Sequence, residues 1–327
     1  MHTGRKITVL QTLKWTSKNI LIFTVLTTTL VILYELLDFK WMTIPFLPIS
    51  LIGIAVAFTI GFKNNAAYDR MWEARKSWGS IVNESRTWAV QSLSYPTSNE
   101  TEKKKLIDRH IAWLTTLRFQ LRKSQSWEHN DLASNNKRDF FEIEEYSGNL
   151  DGLIKGLIDE NEWEEVKNCR NPAAQLLTNQ SNHLSELEKK GELPLRKQIE
   201  MLRTIRELYV AQGQSERIKN FPFPRQYASM SLYFVWIFIF LLPIGLMNEF
   251  AKAGQYFVWL TIPFCVLVSW VFHTLERIGD FSENPFEGSP NDVPITTISK
   301  GIEADLRQMI DRKQESEKIV VKRNVQF

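Results

Sequence analysis

Four stretches of this sequence are long, apolar and nearly free of charge, and they limit what the chain can fold into. They cover about residues 20–37, 41–62, 228–248 and 255–275, and Glu35 is the one Lys, Arg, Asp or Glu inside them. Each approaches the roughly 20 residues that a helix needs to cross a bilayer core. One such stretch could equally be a buried helix of a soluble protein. Four, in two closely linked pairs, predict an all-α membrane protein with four transmembrane helices. Whole-chain averages hide this, because 44% apolar and 24% charged residues over 327 positions is an ordinary globular composition.

Basic residues give the expected orientation. The short links within each pair carry only Lys40 and Lys252, so the other 38 of 40 lysines and arginines lie on the side of both termini and the middle segment. By the positive-inside rule that side is cytoplasmic. The expected organisation is a cytoplasmic N-terminal segment (1–19), transmembrane helices 1 and 2 (20–62), a cytoplasmic helical region (63–227), transmembrane helices 3 and 4 (228–275), and a cytoplasmic C-terminal loop and tail (276–327). Residues 1–19 hold Arg5, Lys6, Lys14 and Lys18 with no acid. The long span after them lacks a small-residue cleavage pattern, unlike a cleaved signal peptide.

Within the middle segment, long runs without Pro or Gly predict helices at about 102–124, 160–168, 173–188 and 195–212, with a break at Gly-Glu-Leu-Pro, 191–194. The second span is expected to run on past residue 66 or to restart within a turn, and a short helix is expected near 299–311. Pro243 and Pro263 lie within the third and fourth spans, where kinks are tolerated if neighbouring helices satisfy the freed carbonyls. Trp15, Trp41 and Trp259 suit a bilayer interface, and Trp72, Trp78 and Trp88 a cytoplasmic core.

Several function classes are disfavoured. Cys169 and Cys265 read as unpaired thiols, and His2, His110, His129, His183 and His273 lack metal-ligand spacing, so neither metal nor cofactor is expected. His273 reads as a packed side chain, and Glu276 and Arg277 as anchors of the helix end or partners of a neighbour. The net charge of +3 comes from interleaved acids and bases, which argues against nucleic acid as a partner. No phosphate-binding loop, nucleophile elbow or zinc-protease motif is present, so an enzyme is not expected.

The second span carries two patterns. Gly53, Ala57 and Gly61 recur every four residues, the small-residue spacing that lets helix backbones approach closely. Ile54, Phe58 and Phe62 recur at the same spacing, about 100° further round the helix. If several copies pack around an axis through their small residues, the three large ones stack as apolar rings able to gate by dewetting. A lipid-facing or core stripe is the plainer alternative. Asn64 and Asn65, just beyond the last ring, could offer amides to a passing ion or simply solvate a helix end.

The stretch "GIAVAFTIGFKNNAAYDRMWEARKSWG", residues 53–79, resembles the bestrophin family, especially its bacterial branch. So do the two span pairs around a helical segment and "NPFEGSPNDVP" at 284–294. The resemblance implies a homopentameric ring around a central pore in a lipid bilayer, here a bacterial inner membrane, conducting chloride or another small anion passively. It implies a neck at Ile54, Phe58 and Phe62, and subunit packing through Gly53, Ala57 and Gly61. It also implies a cytosolic aperture just after the Gly-x-Leu break, at Arg196, or at Leu195 if the register shifts by one. A ring of arginines there would favour anions. A sodium-conducting relative, or a membrane-anchored scaffold or sensor without a pore, are the alternatives. Animal bestrophins bind calcium with an acidic run after Asn-Pro-Phe. Here residues 284–292 hold only Glu287 and Asp292, which makes calcium control doubtful.

Overall fold

The computed structural model describes residues 8–98, 100–129 and 143–311. Arg5, Lys6, His2 and the charged tail from residue 312 lie outside them. The described residues form helices and no named strand. The ten α-helices are α1 (Val9–Glu35), α2 (Phe46–Ser94), α3 (Glu100–Arg122), α4 (Leu150–Ile154), α5 (Glu160–Lys167), α6 (Pro172–Lys189), α7 (Leu195–Asn220), α8 (Arg225–Ala253), α9 (Thr261–Ser282) and α10 (Ile295–Ile310). The chain divides into two compact units. Of the described residues, one holds 8–69 together with Phe223–Glu283, and the other holds those of 70–222 together with 284–311.

The first unit contains the apolar helices. Four helical stretches, α1, α2, α8 and Gln255–Ser282, are long and apolar enough to cross a membrane. Thr8 starts α1 with a capping box: its hydroxyl accepts from the Gln11 backbone N–H while the Gln11 side chain accepts from the Thr8 N–H. α1 packs on α8 and α9, and these two pack on each other. Phe23, Ile49, Val56, Ile60, Val235, Phe238, Ile239 and Cys265 form one buried cluster. Leu30, Val31, Tyr34, Ile244, Met247 and Val258 form another. Large apolar side chains such as Leu21, Val25, Phe240 and Leu267 are exposed, as suits helices whose solvent is lipid.

The third and fourth spans extend beyond the charge-free windows that locate them. Pro243 lies inside α8. Pro263, by contrast, is the third residue of α9, after a 3-10 turn at Gln255–Leu260. Its missing N–H costs nothing in a first turn, so this proline marks a helix start.

The second unit has a helical core. Trp78, Trp88 and Trp113 are fully buried in it with Leu106, Ile107, Leu117, Leu176 and Leu208. Trp72, expected in this core, is 47% exposed. α3 packs on α6, α7 and α10, and α6 packs on α5 and α7. The Asn171 side chain caps α6 by accepting from the Ala174 N–H, with Pro172 as first helical residue. α6 ends in a Schellman turn, in which the Gly191 N–H donates to Glu188 O and the Glu192 N–H to Leu187 O. Gly191 takes φ +75°, a left-handed conformation that glycine adopts without a Cβ penalty. Leu193 is then buried and Pro194 leads into α7. The break read at Gly-Glu-Leu-Pro is this turn.

Candidate pore-lining face of α2

Within the membrane unit α2 has an anchored side and an exposed side. Ile49, Gly53, Val56, Ile60, Lys63 and Ala67 are buried, at alternating three- and four-residue steps that keep them on one helix face. Ile54, Phe58 and Phe62 lie elsewhere around the helix, at 55%, 65% and 70% exposure. These are costly residues to leave uncovered in water. In a membrane assembly they face lipid, a neighbour or a pore.

Two glycines fix the anchored side. A Cβ at Gly53 would lie 2.8 Å from the Phe238 ring, and one at Gly245 would lie 2.4 Å from the Ile49 side chain. α2 and α8 therefore approach closely through a glycine on each. The Gly53 surface, which the sequence reading groups with Ala57 and Gly61 as one face for a neighbouring copy, is thus occupied within the chain. A four-residue repeat advances about 40° per step on a 3.6-residue helix, so Gly53 and Gly61 are about 80° apart. Gly53 packs inside its own chain, whereas Ala57 and Gly61 are exposed, with nothing within 4 Å of a Cβ at Gly61.

One turn beyond Ile60 the anchoring becomes polar. Lys63 Nζ is 2.6 Å from Glu276 Oε1, with both side chains almost completely buried, and 3.9 Å from Asp280 Oδ1. Asn64 Nδ2 donates to the Leu275 carbonyl at 3.0 Å. The Asn64 Nδ2 thus ties α2 to α9, while its Oδ1 is buried without a hydrogen-bond partner and Asn65 is exposed. Removing one member of such a buried pair typically costs about 3–5 kcal/mol, because the other charge is stranded. Sequence reading left Lys63 unassigned. The available signal was its position: Lys63 and Glu276 are each the first charged residue after an apolar window.

The residues assigned to the aperture lie in the other unit, in the first turn of α7. Leu195 is 60% exposed and Arg196 is also exposed. The first turn holds no acid, and Lys197 lies over the Tyr95 ring at 4.9 Å. The arginine therefore adds to the positive end of the helix dipole.

The Asn-Pro-Phe loop closes on itself. Asp292 accepts from the backbone N–H groups of Phe286 (2.9 Å), Gly288 (2.7 Å) and Val293 (2.6 Å), and from Arg122 Nη1 (2.9 Å). Glu287 is buried against His129, which lies 3.2 Å away, and the loss of water raises its pKa. Both carboxylates that could attract calcium are thus committed to partners in the chain, Asp292 to a guanidinium. This donor set does not fit a cation that needs several uncommitted oxygens.

His110 and His273 are packing residues. His110 is buried between Trp88 and Trp113 and hydrogen-bonds with Ser85, and burial pushes its pKa down to about 3. His273 lies against Phe23 and Trp236. Cys169 is exposed and Cys265 buried, and neither forms a disulfide.

Comparison with known proteins matches this architecture. A voltage-dependent anion channel-forming protein of Ralstonia nicotianae is 30% identical over 265 residues, 80% of this chain and 76% of that protein. A protein of the same description from Escherichia coli is 25% identical over 280 residues, covering 86% and 82%. The solved structure of a bacterial bestrophin homolog from Klebsiella pneumoniae shares the fold with a TM-score of 0.76 at 23% identity, covering 89% of this chain and 97% of that one. The sequence profile described as Bacterial/Fungal Bestrophin protein matches residues 9–308, nearly the whole chain. The chain belongs to the bacterial and fungal bestrophin family.

Proposed function

We propose that this chain forms a homopentameric channel in the bacterial cell membrane, with both termini and the helical unit cytoplasmic, and that it conducts chloride or another small anion passively. The observation that carries this reading is the exposed apolar row Ile54, Phe58 and Phe62 on a helix whose other side is anchored by Gly53 and Lys63. Around an axis these side chains make three hydrophobic rings, which admit ions only when wetted. Exposed Ala57 and Gly61 leave room for a neighbouring helix. The anion preference is supported by the names of the relatives and by Arg196, which joins a helix N-terminus that is itself positive. At ~4 Å unit charges in water interact by about 1 kcal/mol, and the low-dielectric wall of a pore strengthens this.

The test is the reversal potential of the purified protein in planar bilayers under a potassium chloride gradient. The wild type is expected to reverse near the chloride equilibrium potential, and Arg196→Glu to move severalfold in permeability ratio toward the cation. Reversal of the wild type near the potassium potential would overturn anion conduction. Silence would favour a scaffold without a pore.

A further inference from the structure

Near the start of α1 and the end of α9, Arg277 packs on an aromatic pair, and Lys14 and Lys18 lie on α1 one and three residues from the tryptophan of that pair. Trp15 and Phe281 meet edge to face with ring centroids 5.5 Å apart. The Arg277 guanidinium carbon lies 4.9 Å from the Phe281 centroid and 5.6 Å from that of Trp15. Both rings therefore hold it by cation–π attraction. Lys14, Trp15 and Lys18 share a face of α1, at helix steps of one and four residues, and all three are exposed.

These cations lack local counter-charges. Residues 8–34 contain no Asp or Glu. On α9, Glu276 is buried against Lys63, and Asp280 lies 3.9 Å from the same ammonium. Glu283, next after α9, pairs with Arg225 at 2.8 Å. Among the described residues Lys14, Lys18 and Arg277 make no ion pair, although Arg277 is half-buried and held by its rings. A guanidinium offers an N–H fork that suits a tetrahedral oxyanion.

The surrounding apolar surface points to the source of that oxyanion. Lys14 and Lys18 precede the window 20–37, and Arg277 follows the window 255–275, so the cations sit at the edge of the apolar layer. Leu21 and Val25 continue the Lys14–Lys18 stripe into the span, at 65% and 58% exposure. A cationic site above an uncovered apolar stripe matches a molecule with a charged head and a hydrocarbon tail.

We infer that Lys14, Lys18 and Arg277 bind the phosphate of an anionic phospholipid, with Leu21 and Val25 against its acyl chains and Trp15 flanking the headgroup. The inference rests on the membrane placement of α1 and α9 and does not require ion conduction. Each Lys or Arg near an anionic membrane surface is worth about fivefold in affinity.

The test is native mass spectrometry of the full-length protein in a neutral detergent, with dioleoyl phosphatidylglycerol or dioleoyl phosphatidylcholine added, and with inorganic phosphate as competitor. The wild type is expected to retain phosphatidylglycerol at least fivefold over phosphatidylcholine, and phosphate at millimolar concentration is expected to leave it bound. Arg277→Gln should lose that preference, and Lys14→Gln/Lys18→Gln, which touches only exposed side chains, should reduce it severalfold. Equal retention of the two lipids by the wild type, or undiminished preference in both variants, would overturn the site. Displacement by phosphate would also overturn it, by reassigning it to a small free anion. None of these readings depends on current, so a silent channel leaves the result intact.

Discussion

The two units use charge in opposite ways. In the membrane unit the buried clusters are apolar, and among the described residues one ion pair, Lys63–Glu276, has both side chains almost wholly buried. The helical unit buries Arg118 against Glu145, Arg122 against Asp292 and Lys219 against Glu128, besides its tryptophan core. Where the surroundings are lipid, apolar burial gives little preference for one helix face over another, because the alternative environment is equally apolar. Steric fit at Gly53 and Gly245, together with a single charge pair, then sets the rotation of α2. In the helical unit, water makes apolar burial directional, and the polar pairs tie loops to helices beside that core.

The largest effect should come from breaking the polar lattice of the helical unit. Asp292→Ala removes the acceptor of three backbone N–H groups and strands the buried Arg122. It should cost at least about 3–5 kcal/mol, seen as a large fall in Tm or loss of folded protein on purification. A change under about 1 kcal/mol would mean that the loop is not held as described.

Lys63→Met sharpens the comparison from the other side. It strands Glu276 and should destabilise by about 3–5 kcal/mol, whereas Lys63→Met/Glu276→Leu should recover most of the loss, since apolar replacement of a buried pair is often neutral. Thermal unfolding of both variants checks this. Equal damage in the single and double variants would show that the pair has a role its apolar replacement cannot fill.

A smaller effect separates the units by pH. The folded-state pKa of His110 is lowered from 6.5 to about 3, so the neutral ring is the one that folds. A depressed pKa gives stability that is present above about 6.5 and lost as pH falls toward 3. The slope is about 1.4 kcal/mol per pH unit for one proton. His110→Phe should flatten that part of the acid dependence. An unchanged slope in an urea-unfolding series between pH 6 and 4 would assign it to other groups.

Legibility in the sequence follows the same division. The four spans were visible because lipid demands about twenty apolar residues in a row, and helices at 160–168, 173–188 and 195–212 because no Pro or Gly interrupts those runs, although the last helix continues through Gly213 to Asn220. The Asx cap at Asn171 and the Gly191 turn are local as well. Tertiary pairs were not legible. Lys63 meets Glu276 across 213 residues and Arg122 meets Asp292 across 170, and no local pattern encodes such a distance. The small-residue stripe misled because spacing gives a helix face but not its occupant. Gly53 faces Phe238 of its own chain, and Asn64 faces Leu275. Trp72 failed for a related reason, since a tryptophan between buried neighbours need not share their side of the helix.

The central claim is that the exposed row of α2 lines an ion path, and single-channel conductance of Phe58→Ala/Phe62→Ala tests it most directly. Both side chains are exposed within the chain, so their loss should leave its packing intact. If they form dewetting rings, the assembled double variant should conduct severalfold more than the wild type and close less completely. Unchanged conductance in a variant that still assembles would place the two phenylalanines against lipid and contradict the account.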